Sequence, residues 1–196
     1  MVNFVDCFGP SALAMTMVGR EIMLQCMDRA VFFFINHGLS NPFFNFIMPV
    51  ISEICDGPIL FAVSFVLLFS KKRELRTLGL IMLAGLSVSF YVVSGLKTLV
   101  ARPRPFLVLT DVFLLVKEKS MSFPSGHAAI SFMAATALAA YFKRYAVAFY
   151  SFAAAAAVSR VYMGVHYPSD VLAGAGLGIL IGYFLTKVRI SCGTYI

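Results

Sequence analysis

At 196 residues the chain is long enough for one helical bundle and too short for a second domain of ordinary size. Its residues are 60% apolar and 13% charged, whereas soluble domains average about 45–50% apolar and about 25% charged, so an ordinary water-facing surface is excluded. The 16 Lys and Arg exceed the 9 Asp and Glu to give +7, which in so apolar a chain reads as a record of membrane topology and not as a nucleic-acid surface.

Residues 1–27 read as an amphipathic or poorly ordered lead-in to a transmembrane domain over 28–196. The first 19 residues lack the charged and uninterrupted apolar regions of a signal peptide, so later helices are expected to direct insertion. The uncharged stretch 30–52 is broken by Asn36-His37-Gly38 and by Asn41-Pro42. It therefore reads as two short re-entrant or interfacial helices, with a sixth crossing as the alternative. Crossing a bilayer core of roughly 30 Å takes about 20 apolar residues. Segments 77–96, 121–142, 145–159 and 171–186 fit that requirement, some after shortening, and 57–70 fits if it extends upstream. The expected fold is an all-α polytopic membrane bundle of five to six transmembrane helices. Gly174, Gly178 and Gly182 recur every four residues in the last segment and predict a face for close helix approach. Cys7, Cys26, Cys55 and Cys192 are scattered, which suggests neither a metal site nor a disulfide framework.

Charge then orients the bundle. Lys71, Lys72, Arg73, Arg76, Lys143, Arg144, Lys187 and Arg189 fall on one side of five alternating crossings, accompanied by Glu74 as the one acid. The positive-inside rule makes that side cytoplasmic and puts residues 97–120 and 160–169 on the outer face. Glu53 and Asp56 are expected at the same outer interface, near its cations, because acids are costly at membrane depth.

The unusual residues gather at that outer level. Lys97 and Arg102-Pro103-Arg104-Pro105 leave one crossing, Pro124-Ser125-Gly126-His127 enters the next, and Ser159-Arg160, His166 and Asp170 follow. These residue types suit a phosphoryl group. Ser125 and Gly126 open a helix, whose free N–H groups attract an anion, and Lys97, Arg104 and Arg160 add three cations. At an effective dielectric near 20, each charge pair at about 4 Å is worth about 4 kcal/mol. Asp170, four residues after His166, can hold one imidazole nitrogen so that the other acts as nucleophile, while His127 protonates the leaving oxygen. Such chemistry calls for no metal and no cofactor. Arg102 reads equally as a second phosphate contact or as part of the loop, His37 as a turn or interface residue, Ser159 as packing against a neighbouring helix or else orienting Arg160, and Lys117 and Lys119 as lysines of the lipid surface.

Together, Lys97-x6-Arg104-Pro105, Pro124-Ser125-Gly126-His127 and Ser159-Arg160-x5-His166-x3-Asp170 resemble the three motifs of the type 2 phosphatidic acid phosphatase (PAP2) superfamily. The resemblance implies that Lys97, Arg104, Ser125, Gly126 and Arg160 bind phosphate, that His127 is the acid/base, and that His166 is the nucleophile with Asp170 as its partner. It also implies an inner-membrane lipid phosphatase with an outward-facing site, working on a phosphorylated lipid in the bilayer. Residues 35–42 are similar to bacterial undecaprenyl-diphosphatases of the bacitracin-resistance type, which makes undecaprenyl diphosphate the first substrate. Gly126, where some of those enzymes carry Asp, matches the broader lipid phosphatase pattern. Phosphatidate, phosphatidylglycerophosphate and the 1-phosphate of lipid A are the alternatives. A lipid phosphotransferase and a non-catalytic phospholipid-binding scaffold are the rival classes.

Overall fold

A computed structural model describes residues 17–192. Its elements are helices joined by turns and one long irregular segment: α1 Met17–Asn36, α2 Pro42–Ile54, α3 Gly57–Leu68, α4 Arg73–Val100, α5 Pro105–Val108, α6 Gly126–Tyr141, α7 Ala146–Tyr162 and α8 Pro168–Cys192. Side-chain chemistry sets the boundaries. Asn41 Oδ1 accepts from Phe44 N at 2.9 Å to start α2, and Asp56 Oδ1 accepts from Gly57 N at 2.8 Å to start α3, each with a proline in the first turn that follows. Helix α4 carries Glu74 in its first turn and Lys97 in its last, as the helix dipole favours. It ends where Ala101 turns left-handed at φ 47°, ahead of Pro103.

The helix directions create two poles. Helix α4 runs toward the pole that holds Lys97, α6 runs away from it, α7 returns to Arg160, and α8 leaves again from Pro168. Helix α3 starts at the same pole and runs antiparallel to α4, where Gly79 meets Ser64 and Leu67. The basic segment 71–76, the turn at Lys143–Tyr145 and the C-terminal part of α8 therefore gather at the opposite pole. Between the poles, Leu78, Met82, Leu86, Met133 and Ala137 form a buried core shared by α4 and α6. Phe32 of α1 packs with Ala128, Ala157, Val161 and Val171 beneath the site pole.

Two stretches, Arg73–Val108 and Pro168–Lys187, are long and apolar enough to cross a bilayer, and the pair α2 and α3, bent by 43°, makes a third if counted as one span. The expected count of five to six is thus met only in part by length and composition. The reason lies in the ends of the helices. Pro124 and Ser125 delay α6 to Gly126, so 121–125 are not helical, and α6 and α7, with 16 and 17 residues, reach only about 24–26 Å. The helix break falls where the sequence predicts it, with a turn at 37–39 and α2 starting at Pro42. Helix α1 includes residues 17–27 as well as the first part of the uncharged stretch that follows. Residues 1–16 of the lead-in lie outside the described residues.

The glycine face of α8 does what its spacing predicts. A Cβ at Gly174 would collide with the Ser125 carbonyl oxygen, one at Gly178 with that of Ala129, and one at Gly182 with Thr136 Cβ at 2.8 Å. Helices α6 and α8 therefore touch through backbone, which fixes the start of α8 against the start of α6. Gly176, where an added Cβ would find nothing within 4 Å, supplies the control. Gly178→Val should lower the thermal unfolding midpoint in detergent sharply, with a loss of about 3 kcal/mol or more, while Gly176→Ala leaves it unchanged.

Candidate active site

Every residue singled out in the three motifs comes to the site pole, and most are buried there. Arg104 is 1% exposed, Arg160 3%, His166 1%, and Ser125 and Asp170 0%. Guanidiniums so deeply enclosed need acceptors on all sides. Arg104 finds them by Nε donating to Ser120 O at 2.6 Å, Nη1 to Val165 O at 2.8 Å, and Nη2 to Glu118 Oε2 at 2.5 Å and Ser120 Oγ at 2.9 Å. Arg160 Nη1 donates to Ser52 Oγ at 2.8 Å, and its Nη2 meets Oε1 of the same Glu118. One carboxylate thus bridges two arginines. Lys97 Nζ donates to Ser120 Oγ at 2.9 Å and has no ion pair among the described residues.

His166 sits in the turn between α7 and α8, with Nδ1 3.5 Å from Asp170 Oδ2 and Nε2 3.3 Å from Arg104 Nη1. Burial, reinforced by the positive charges of Arg104 and Arg160, pushes its pKa down to about 3 against the opposing pull of Asp170. The ring is therefore neutral at physiological pH. With its proton on the side of Asp170, the Nε2 lone pair faces the arginines. Asp170 is itself tightly held. Its Oδ1 accepts from Arg102 Nη1 at 2.6 Å, and its Oδ2 accepts from Ser122 Oγ at 2.5 Å and Tyr167 N at 2.9 Å.

Ser125 caps α6, its N–H donating to Asp170 O at 3.0 Å, which ties the starts of α6 and α8 together. His127 lies in the first turn of α6 beside that junction, within electrostatic range of Lys97 and Arg104, and its Nε2 is 3.1 Å from Asp56 Oδ1. Asp56 is thus found beside a site residue, as the cost of an acid at membrane depth predicts, while Glu53 is exposed. A Cβ on Gly126 would meet only Val93 Cγ1 at 3.7 Å, so protein packing does not demand glycine there.

Several residues with no motif of their own complete the site. Arg102, in the loop between α4 and α5, is held by ion pairs: Nη2 pairs with Asp28 at 2.7 Å, Nη1 with Asp170, and its guanidinium stacks 4.0 Å from the Tyr167 ring. Asp28 of α1 also accepts from Ser169 N at 2.8 Å and Ser169 Oγ at 2.6 Å. Asn36, wholly buried, clasps Phe113 through both N–H and C=O and donates to Tyr162 O at 2.7 Å. Gly164, at φ 82°, permits this contact because a Cβ would press on Phe113 O at 2.8 Å. The irregular segment after α5 is thereby pinned at 113 and again at Ser122, whose N–H donates to Arg102 O at 2.9 Å. Ser159 donates to Ala156 O within its own helix at 2.7 Å and not to Arg160, and His37 lies against Asp111 O at 2.5 Å. A cleft of about 360 Å³, lined by Ser94, Lys97, Thr98, Ala101, Ser120 and Met121, opens beside the arginines and does not include them.

A lipid A 1-phosphatase from Rhizobium johnstonii is 45% identical over 74 residues, 37% of this chain and 30% of that protein. Across several curated relatives the chain spans only 30% to 56% of their length. An undecaprenyl-diphosphatase from Sulfolobus acidocaldarius is 31% identical over 74% of this chain and 70% of its own. The crystal structure of Aquifex aeolicus LpxE superposes with a TM-score of 0.74 at 30% identity, covering 82% of this chain and 95% of that one. The sequence pattern of the PAP2 superfamily runs over residues 76–191, from within α4 to near the end of α8, and the chain belongs to that superfamily.

Proposed function

We propose that the protein is a membrane-embedded phosphatase that removes the terminal phosphate of a lipid by way of a phosphohistidine at His166. One observation carries the reading: a buried neutral imidazole, oriented by Asp170, aims Nε2 toward two arginines that already hold a carboxylate. A neutral histidine next to an anion pocket serves nucleophilic attack, whereas simple binding needs only the cations.

In this mechanism Arg104, Arg160 and Lys97 hold the phosphate oxygens together with the N–H groups at the start of α6, where Gly126 leaves room for them. His166 Nε2 attacks phosphorus, the N–P bond forms, and the bond from phosphorus to the lipid oxygen breaks. His127, steadied by Asp56, gives that oxygen its proton. Water then attacks the phosphohistidine, His127 accepts a proton from it, and inorganic phosphate leaves with the His166 ring restored. The cations stabilise the charge on the five-coordinate phosphorus, which is where electrostatic catalysis acts.

Undecaprenyl diphosphate is the proposed substrate. The reading is supported by the relative from Sulfolobus that aligns over most of both chains, and by residues 35–42, where Asn36 ties the helix turn to the site. Lipid A 1-phosphate is the second reading, on the strength of the shorter segment of higher identity in the Rhizobium protein. The proposed membrane setting has five passes, the pair α2 and α3 counted as one with α4, α6, α7 and α8. The basic pole faces the cytoplasm and the site faces outside.

Phosphate release in detergent with EDTA present should be fastest with undecaprenyl diphosphate among that lipid, lipid A, phosphatidate and phosphatidylglycerophosphate. His166→Ala should reduce it by at least about 10⁴-fold and Asp170→Asn by about 10³-fold, with protein levels unchanged. Equal release by wild type and His166→Ala contradicts the mechanism, and transfer to a second lipid without free phosphate makes the protein a phosphotransferase. Orthovanadate should inhibit competitively. A cysteine placed at Lys117 in intact cells should react with a membrane-impermeant maleimide from outside; labelling only after the cells are opened would reverse the orientation.

A further inference from the structure

Glu118 stands in the position the mechanism gives to phosphate. Its two oxygens engage Arg104 and Arg160, and Arg104 Nη1 is at the same time 3.3 Å from His166 Nε2. The side chain is 23% exposed, so it can swing into water once an incoming anion takes its place on the two buried arginines. Its neighbours Lys117 and Lys119 are exposed and make no ion pair among the described residues. The chain is fixed on either side, by Leu115 N donating to Met163 O at 3.3 Å and by Ser122 N donating to Arg102 O. Glu118 is therefore tethered close to the arginines yet free to leave them, and the cleft lined by Lys97 and Ser120 lies two residues along the chain from it.

We propose that Glu118 is a resident competitor for the phosphate cradle, setting the least charge that a headgroup must carry to enter. The proposal rests on the reading of Arg104 and Arg160 as phosphate ligands. Any anion that binds must first displace a carboxylate held at high effective concentration by its own chain. That step weakens all anionic ligands by one common factor. A phosphodiester headgroup offers one negative charge and two free oxygens, no more than the carboxylate it replaces, and falls below useful affinity. A terminal phosphate offers two charges and three oxygens and still binds. In a bilayer crowded with phosphodiester lipids, the carboxylate thus keeps the arginines from being occupied unproductively. Its return after hydrolysis expels inorganic phosphate. No covalent step is involved, only exchange of one anion for another.

The test uses the full chain in detergent with methyl phosphate and dimethyl phosphate as probes at pH 8, binding being read by isothermal titration. Glu118→Gln and Glu118→Ala should each tighten both ligands by at least about tenfold, and by the same factor, since a competitor acts equally on both. Wild type turning over substrate amid excess phosphatidylglycerol should be unaffected by it, whereas both variants become inhibited. Unchanged or weaker binding in the variants overturns the proposal while leaving the cradle intact. If neither wild type nor variant binds either anion, it is the phosphate reading of the arginines that fails. Should the variants not fold, wild type alone decides: saturating methyl phosphate should accelerate tryptic cleavage after Lys117 and Lys119, and unaltered cleavage refutes displacement.

Discussion

Two guanidiniums enclosed at one end of an apolar bundle are the constraint around which this molecule is built. Arg104 and Arg160 are almost without solvent contact, and a charge so placed is tolerated only when hydrogen-bond acceptors and opposite charge surround it. The acceptors come from widely separated parts of the chain: Ser52 from α2, Glu118 and Ser120 from the irregular segment, and Val165 from the turn before α8. These partners draw the separate parts of the site pole together, and the same arginines are the ones proposed to hold phosphate.

Rigidity is supplied from below and from the side. Backbone contact between α6 and α8, made possible by Gly174, Gly178 and Gly182, fixes the two helix starts that carry His127 and Asp170. From α1, Asp28 holds Arg102 and Ser169, and Arg102 in turn holds Asp170. The carboxylate facing His166 is thus braced by an ion-pair chain that begins outside the motif region. Its own acceptor capacity is divided among Arg102, Ser122 and Tyr167 N, which limits its freedom to rotate away from the imidazole 3.5 Å from it. By contrast Glu118 itself is held by its ion pairs, between backbone anchors at Leu115 N and Ser120 O, so it is the part of the site that can yield to a ligand.

Much of this was legible in the sequence, and the boundary of what was legible has a physical cause. Lys97, Arg104, Ser125, His127, Arg160, His166 and Asp170 announce themselves because charged and hydrogen-bonding residues stand out at the ends of apolar segments. The turns around Asn36 and Pro42 are written in local backbone preference, as is the glycine face of α8. Counter-ions are different. Glu118 lies between two lysines in a stretch without periodicity, and Asp28 adjoins Arg29, so each looks locally neutralised although its partner lies elsewhere in the chain. The surplus of cations at the outer pole was the available hint that acids had to be found for them. Likewise Arg20, Glu21, Asp28 and Arg29 interrupt the apolar run, so the helical residues of α1 ahead of residue 30 escaped a reading based on uncharged spans, while Pro124 shortened α6 from within an uncharged one.

The central claim is that a phosphoryl group passes through His166 Nε2, and trapping it is the most direct measurement. Wild type mixed with labelled substrate and quenched in alkali within milliseconds, then digested and sequenced by mass spectrometry, should carry the label on the peptide that contains His166. His127→Ala should retain label formed from a substrate with a good leaving group, because water attack is slowed, and His166→Ala should carry none. A label on any other residue, or turnover with no labelled protein at any quench time under conditions where His127→Ala is also unlabelled, would contradict the account.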